Sequence, residues 1–258
     1  MLHLLLHSSK TMSATPSRAA PLGTPRFFKE AAALVDIWSA ADLETLQRLM
    51  KISPQKASEV TSLFTTWSQE PTQQMPTIDA FRGDIYSGLQ VASWSESDRI
   101  YAHEQLTILS GLYGVLRACD GIMPYRLEMG YKLPDGRSLY AYWSDKLITH
   151  FPSDTTCLLN LSAVEYTKAL LPFTQLPTIT PKFLTISPKT NLPTFVTVHT
   201  KIARGAFANW VIKNRINNIS TLSSFDSLGY TYDADLSTPN APVFVCQKFQ
   251  GSGLSIRT

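Results

Sequence analysis

The chain has 258 residues, of which 44% are hydrophobic, and its formal net charge is +3 at pH 7. This length and apolar content allow a substantial core, while so small a positive charge does not by itself indicate a nucleic-acid-binding protein. The three cysteines are widely spaced and odd in number, which argues against a disulfide framework and favours a reducing compartment. No apolar run approaches the ~20 residues that a membrane span needs. We therefore expect a cytoplasmic protein without a membrane partner.

The beginning of the chain predicts a buried strand followed by a loop and a helix. Residues 1–7 are apolar apart from His3 and His7, too short for a signal segment and without a basic start, so they predict a buried first strand. Residues 8–25 are rich in serine, threonine and proline, which is typical of a surface loop. Helical spacing of apolar residues then predicts a helix over 27–38.

Two further helices are predicted to form a hairpin over residues 39–67. Ser39 is placed to cap the first of them, with Asp42 three positions later, and this helix is expected to end near Met50. Ser53 is followed by proline, which is a typical start of the next helix.

The middle of the chain contains two glycines in an apolar segment. Residues 71–77 are a polar connector, 79–88 form a compact element, and 95–116 show the pattern of one long helix. Gly111 and Gly114 lie inside that pattern, where each costs about 1 kcal/mol relative to alanine. Such glycines indicate that another backbone or a ligand approaches closely.

The second half mixes helices and strands without strict alternation. We expect helices over 139–151, 163–171 and 201–217. We expect strands over 156–161, 172–200 (with a hairpin around 188–192), 222–232 and 243–249. The fold class is therefore α+β, an irregular mixed α/β arrangement in which helices surround a central mixed sheet. We expect one domain over 1–249 and a disordered tail over 250–258.

The helix beginning at Lys201 is predicted to carry a cationic face. At 100° per residue, Lys201, Arg204 and Arg215 lie on the same side, together with apolar residues. Three cations beside an apolar surface suggest an anion site at the edge of the core. The alternative is that their long stems cover the core while the charged ends reach water.

Residues 81–89 place charged and aromatic groups in a glycine-flanked turn. Arg82, Asp84 and Tyr86 would be aimed in fixed directions there, although the segment lacks the spacing of a phosphate-binding loop. It is either part of a binding site or a structural turn held by an Arg82–Asp84 ion pair.

A second charged cluster lies at Tyr125, Arg126 and Glu128. Arg126 and Glu128 point the same way if the segment is extended, so they either bind a polar ligand or form a buried ion pair. Lys10 follows the first strand, a place where open sheets often contact ligands.

No local pattern specifies a metal, a cofactor or a nucleophile. The five histidines lack ligand spacing, and the glycine–serine elbow of hydrolases is absent, so we expect neither metal nor cofactor. Whether the protein is an enzyme stays open. The candidate catalytic residues are Asp84, Tyr86, Tyr125 and Glu128.

The hairpin over 39–67 has the outline of a helix–hairpin–helix element, in which glycine amides grip a DNA phosphate. Here the connection contains no glycine. Lys51, Ser53 and Lys56 remain as groups able to hold a phosphate. The alternative is a plain helical hairpin.

Several blocks together resemble the YaaA family, which is associated with resistance to peroxide stress. The resemblance implies a cytoplasmic bacterial protein that limits oxidative damage, is linked to lowered free iron, and binds DNA. It also implies a mixed α/β fold with a helix–hairpin–helix element and a positively charged cleft. The blocks are 81–89, 109–117, 124–130, 139–143, 160–166, 201–205 and 214–215.

Two functional hypotheses follow. The first is a monomeric stress protein that binds DNA phosphates through the hairpin and through a cleft containing Lys201, Arg204 and Arg215. The second is an enzyme or binding protein for a small anionic or nucleobase-like ligand in the same cleft. The second accounts for the acids and tyrosines that accompany the arginines, since phosphate binding alone does not require them.

Overall fold

The computed structural model describes residues 1–13, 17, 19–68 and 73–254. The strands are β1 (Leu2–His7), β2 (Met75–Pro76), β3 (Leu106–Ser110), β4 (Gly114–Arg117), β5 (Gly121–Ile122), β6 (Cys157–Asn160), β7 (Thr178–Ile179), β8 (Lys182–Ile186), β9 (Pro193–Thr194), β10 (Tyr230–Thr238) and β11 (Ala241–Cys246). The helices are α1 (Phe28–Ser39), α2 (Leu43–Met50), α3 (Pro54–Thr65), α4 (Thr77–Ala80), α5 (Asp84–Leu89), α6 (Glu96–Gln105), α7 (Leu139–Trp143), α8 (Val164–Thr167) and α9 (Thr197–Lys213). The predicted α+β class is confirmed.

The main sheet has the strand order β4-β3-β1-β6-β7, with β1 at its centre. β1 runs parallel to β3 and to β6, and Leu4 lies opposite both Leu106 and Leu159. Strands flank β1 on both sides and every one of its residues is buried, as expected when both faces of a parallel sheet are covered. The predicted first strand is confirmed, and the carboxyl ends of β1, β3 and β6 share one edge of the sheet.

The later strands form a sheet of their own. We expected them to close the central sheet, but β10, β11, β8 and β9 pair in that order as a separate four-stranded sheet. The predicted hairpin around 188–192 is confirmed between β8 and β9. An aromatic cluster joins this sheet to α9, with the Phe183 and Phe244 ring centroids 5.5 Å apart and Phe207 packed on both.

The helix predicted over 95–116 was wrong beyond Gln105. α6 ends there, and a completely buried β3 pairs with β4 across a tight turn. A continuous apolar run satisfies both periodicities, so pattern alone did not separate helix from strand. Gly114 has φ +67° in the turn, and a Cβ on Gly111 would collide with the Leu127 carbonyl.

The predicted helical hairpin is present as α2 and α3. Asp42, rather than Ser39, caps α2, because its carboxylate accepts a hydrogen bond from the Thr45 amide at 2.7 Å. Lys51 takes a left-handed conformation with φ 52° at the turn. Ser53 caps α3 as predicted, accepting from the Lys56 amide at 3.3 Å.

Buried apolar side chains from both larger sheets and their helices form one contiguous cluster. The single domain over 1–249 stays a prediction. In the predicted tail, Ser252–Leu254 form a short 3-10 turn, and 255–258 lie outside the described residues. Among the residues described, no helix has both the length and the apolar character to cross a membrane.

Candidate functional site

A pocket lies at the carboxyl edge of the main sheet, where β1 ends between β3 and β6. The chain leaves β1 for β3 on one side and later enters β6 on the other, so this is the position at which open sheets bind ligands. The cavity volume is about 380 Å³. Its lining includes His7, Ser8, Lys10, Arg82, Asp84, Tyr86, Glu165, Tyr166 and Lys201.

His7, the last residue of β1, is held firmly in the wall of this pocket. The Tyr86 hydroxyl donates to the His7 carbonyl at 3.0 Å, and the Ala163 amide donates to its Nδ1 at 3.1 Å. Its ring stacks on Tyr166 with centroids 4.7 Å apart. Burial lowers the pKa of His7 to about 3, helped by the charges of Arg204 and Lys201. His7 is therefore neutral at physiological pH.

Two cations of α9, one helical turn apart, lie close enough to His7 to oppose its protonation. Burial also lowers the pKa of the Arg204 guanidinium, whose Nε is enclosed without a hydrogen-bond partner. No carboxylate in the described ranges pairs with Arg204 or Lys201. A desolvated, unpaired cation such as Arg204 is costly, so Arg204 together with the exposed Lys201 is suited to an anion from outside the chain.

The close crossing of α5 and α9 positions these cations. A Cβ on Gly205 would collide with the Ile85 carbonyl oxygen, and one on Gly88 would collide with the Ile202 carbonyl oxygen. The two backbones therefore touch, which fixes the part of α9 around Ile202 and Gly205 against the helix that begins at Asp84.

Glu128 links the pocket to the helical hairpin. Its Oε2 lies 2.5 Å from Lys10 Nζ, and its Oε1 lies 3.6 Å from an Arg126 nitrogen. The Tyr131 hydroxyl lies 2.7 Å from Oε1 and 3.2 Å from the carbonyl oxygen of Met50, the last residue of α2. The predicted Arg126–Glu128 cluster is thus an ion pair, and it connects Lys10 to the end of α2.

Buried tyrosines surround the end of β1. The Tyr125 hydroxyl is 2.6 Å from Ser110 Oγ, and burial raises the pKa of Tyr125 to about 12. Burial raises the pKa of Tyr86 as well, with smaller effects from its neighbouring tyrosines. Ser8 Oγ donates to the Tyr166 hydroxyl at 3.3 Å. Neither Tyr86 nor Tyr125 is ionised near neutrality, so both act as hydroxyl groups rather than as bases.

The glycine-flanked turn over residues 81–89 places Asp84 in the pocket, whereas Arg82 stabilises the neighbouring loop. Asp84 begins α5 and lines the cavity, preceded by Gly83 with φ 107°. Arg82 also lines the cavity, but its guanidinium donates to the Asp79 carbonyl at 2.8 Å and to Ser13 Oγ at 3.0 Å. Arg82 therefore holds the loop after β1 against the turn.

The predicted cationic face contains Lys201 and Arg204 but not Arg215. α9 ends at Lys213, and Arg215 has φ 52°, so the helical angle no longer applies to it. Its guanidinium lies 2.8 Å from Asp98 and 4.5 Å from the centre of the Tyr101 ring. This arginine connects the end of α9 to α6.

The predicted phosphate-binding residues of the hairpin lie outside this pocket. Lys51 is exposed at the turn, while Lys56 forms an exposed ion pair with Glu59 at 2.6 Å. Ser53 uses its hydroxyl as a helix cap.

Sequence reasoning missed His7, Ser8 and Tyr166 as pocket residues. Their positions after β1 and β6 were the available signal, because carboxyl ends of neighbouring parallel strands meet at one edge. The described part of the chain contains no group of three or more His, Cys, Asp or Glu residues placed to hold a metal ion.

Buried neutral histidines predict loss of stability in acid. Burial lowers the pKa of His3 to about 4 and that of His7 to about 3, so the unfolded chain binds these protons first as pH falls. We expect the free energy of unfolding to drop below about pH 6.5, by about 1.4 kcal/mol per pH unit for each histidine. Urea unfolding at about pH 7, 6 and 5 measures this, and His3→Gln should make the slope shallower. An unchanged slope in that variant would contradict the assignment.

Fold and pocket together define an α+β protein with a mixed-charge pocket at the carboxyl edge of parallel strands. Within that class, the family described as peroxide stress protein YaaA matches residues 1–236, and the chain belongs to this family. The resemblance inferred from the sequence is thereby confirmed. The description of the family supports a role for this chain in oxidative stress.

Relatives span nearly the full chain. A UPF0246 protein of Salinispora tropica is 44% identical over 257 residues, which cover 98% of this chain and 97% of that protein. A UPF0246 protein of Roseobacter denitrificans is 38% identical over 238 residues, covering 88% and 92%. A UPF0246 protein of Clostridium botulinum is 37% identical over 238 residues with the same coverage.

Proposed function

We propose that this protein acts in the cytoplasm during peroxide stress by binding the phosphate backbone of DNA. The observation that supports this most is the pair Lys201 and Arg204, which has no carboxylate partner in the described part of the chain. Lys10 lies at the same pocket, and its Glu128 partner is linked through Tyr131 to the end of α2. The carboxyl-edge pocket and the helix–hairpin–helix-like segment are therefore neighbours, and together they would contact successive phosphates of one DNA strand.

Phosphate neutralisation also gives a physical route to less iron-dependent damage. DNA holds a condensed layer of cations, and a protein that neutralises phosphates releases them. Ferrous ions in that layer would be displaced together with other cations. Peroxide would then react with iron away from the DNA rather than on its backbone.

The salt dependence of duplex binding tests the DNA proposal. We expect wild-type affinity to fall by more than a decade between ~50 and ~200 mM salt, independently of base sequence. Removing both cations in Lys201→Ala/Arg204→Ala should reduce the slope of log K against log salt by about 2. Lys182→Ala/Lys189→Ala is the matched control, because it removes the same charge from exposed positions of β8 and of the turn that follows it. Equal slopes in all three proteins would rule the proposal out.

The size and polar lining of the pocket favour a second candidate, an enzyme or binding protein for a small anionic or nucleobase-like ligand. A cavity of about 380 Å³ is within the range of small-molecule sites. Asp84, Glu165 and the Tyr86–His7 wall add polar groups that backbone binding does not use. Saturable binding of a nucleoside monophosphate, lost when Arg204 is replaced, would favour this candidate over duplex DNA.

A further inference from the structure

A second cavity lies at the opposite, amino edge of the main sheet. Its volume is about 790 Å³, within the range of small-molecule sites. The residues that matter for its chemistry come from separate segments: β1, the segment before α1, the end of α6, the end of β4 and the 3-10 segment 144–150. They are His3, Arg26, His103, Gln105, Arg117 and His150.

Positive groups converge at one side of this cavity. Burial lowers the pKa of His150 to about 3, and the charges of Arg117 and Arg26 lower it further. The surroundings of His150 are therefore locally positive. Arg117 lies 3.3 Å from the buried Asp120, whereas no carboxylate in the described ranges pairs with Arg26. Glu104 and Asp154 also line the cavity.

Two enclosed polar atoms of the lining lack partners. Gln105 is 3% exposed and His3 is 2% exposed, and both Gln105 Oε1 and His3 Nδ1 are without a hydrogen bond. An unmade hydrogen bond at such a depth is unfavourable. An amide oxygen only accepts, so a group that satisfies Gln105 Oε1 must bring a hydrogen-bond donor.

The fold determines which nitrogen of the neutral His103 ring carries the proton. The Cys119 amide donates to His103 Nδ1 at 3.2 Å, so in the neutral ring the proton is on Nε2 and is available as a donor. His3 uses Nε2 toward Thr107 Oγ1 at 2.8 Å, which leaves its Nδ1 on the unpartnered side.

We propose that this amino-edge pocket binds the phosphate group of a small hydroxylated phosphate ester, held by Arg26, Arg117 and the imidazoles of His103 and His150. Guanidinium groups match the oxygens of phosphate in a bidentate manner, and imidazole N–H groups add further donors. A hydroxyl of the ester donates to Gln105 Oε1. The site is separate from the carboxyl-edge pocket and does not depend on DNA binding there.

Binding of glycerol phosphate to the full chain tests this site by calorimetry. We expect saturable binding below ~10 mM and a loss of about tenfold or more in Arg26→Gln, since a charge-assisted contact is removed. Lys29→Gln is the matched control, because it removes the same charge from an exposed position of α1 outside the cavity. Lys201→Gln removes a cation of the carboxyl-edge pocket and therefore reports any binding of the same anion there.

The outcomes are decisive in both directions. The absence of saturable binding, equal affinity in Arg26→Gln and wild type, or a loss in Lys201→Gln in place of Arg26→Gln would overturn the proposal. Histidine ring signals in NMR give an independent readout. Glycerol phosphate should raise the titration midpoints of His103 and His150, because a nearby anion favours the imidazolium, whereas unmoved midpoints would contradict the site.

Discussion

Gly205→Ala is expected to destabilise the protein by about 3 kcal/mol or more, although helix propensity predicts the opposite sign. In an exposed helix the same change gains about 1 kcal/mol. Here the added methyl would collide with the Ile85 carbonyl and lie 2.7 Å from the Leu89 nitrogen. Backbone atoms cannot rotate away as a side chain can, so α5 and α9 must separate, and overpacking of this kind is costly. The free energy of unfolding in urea measures the effect.

Gly88→Ala and Gly253→Ala give the comparison for this experiment. Gly88 meets α9 at the same crossing, so it should behave like Gly205, whereas an added methyl on Gly253 meets nothing within 4 Å. Once one methyl has separated the helices, the second should cost less, and the double variant should lose less than the sum of the single losses. A Gly205→Ala protein as stable as wild type would show that the helices do not cross this closely.

The same crossing controls the carboxyl-edge pocket. Lys201 and Arg204 occupy the turn of α9 just before Gly205, and Asp84 begins the helix that Gly205 touches. Separation of the helices therefore moves both cations relative to the acid. Stability and binding should decline together in Gly205→Ala, while Gly253→Ala changes neither.

Strong local signals made part of the fold predictable. Apolar spacing and the Ser53–Pro54 start located α1, α2 and α3 to within a few residues, and the buried first strand was correct. The strand pair β3–β4 was taken for helix because its uninterrupted apolar run fits either period. β3 also pairs with β1, which is about a hundred residues away in the sequence. The local apolar pattern does not indicate so distant a partner.

Only part of the pocket could be predicted from the sequence, because it is formed by segments that are distant in the chain. The spacing of Lys201 and Arg204 placed them on one face, because both lie within α9. Arg215 was misplaced because the helix ends two residues before it. His7 and Tyr166 meet through the parallel pairing of β1 with β6, and a single sequence does not show which strands become neighbours.

Replacing Arg204 by methionine is expected to stabilise the protein while removing its anion affinity. The guanidinium carries charge in a partly buried position, and its enclosed Nε has no partner among the described residues. Methionine is unbranched and apolar, so it can occupy similar space without the desolvation cost. We expect a gain of about 1–2 kcal/mol in the free energy of unfolding, since functional groups of this kind are retained at the expense of stability.

Lys201→Met separates the effect on stability from the effect on anion affinity, because Lys201 is exposed and already solvated. It should weaken binding of inorganic phosphate or duplex DNA but leave the free energy of unfolding within about 0.5 kcal/mol of wild type. Urea unfolding and phosphate titration of both variants measure stability and affinity in parallel. If Arg204→Met were less stable than Lys201→Met, the guanidinium would be a structural member of the core. If it were more stable and no longer bound anions, the uncompensated charge of Arg204 would be the feature that the fold maintains for its ligand.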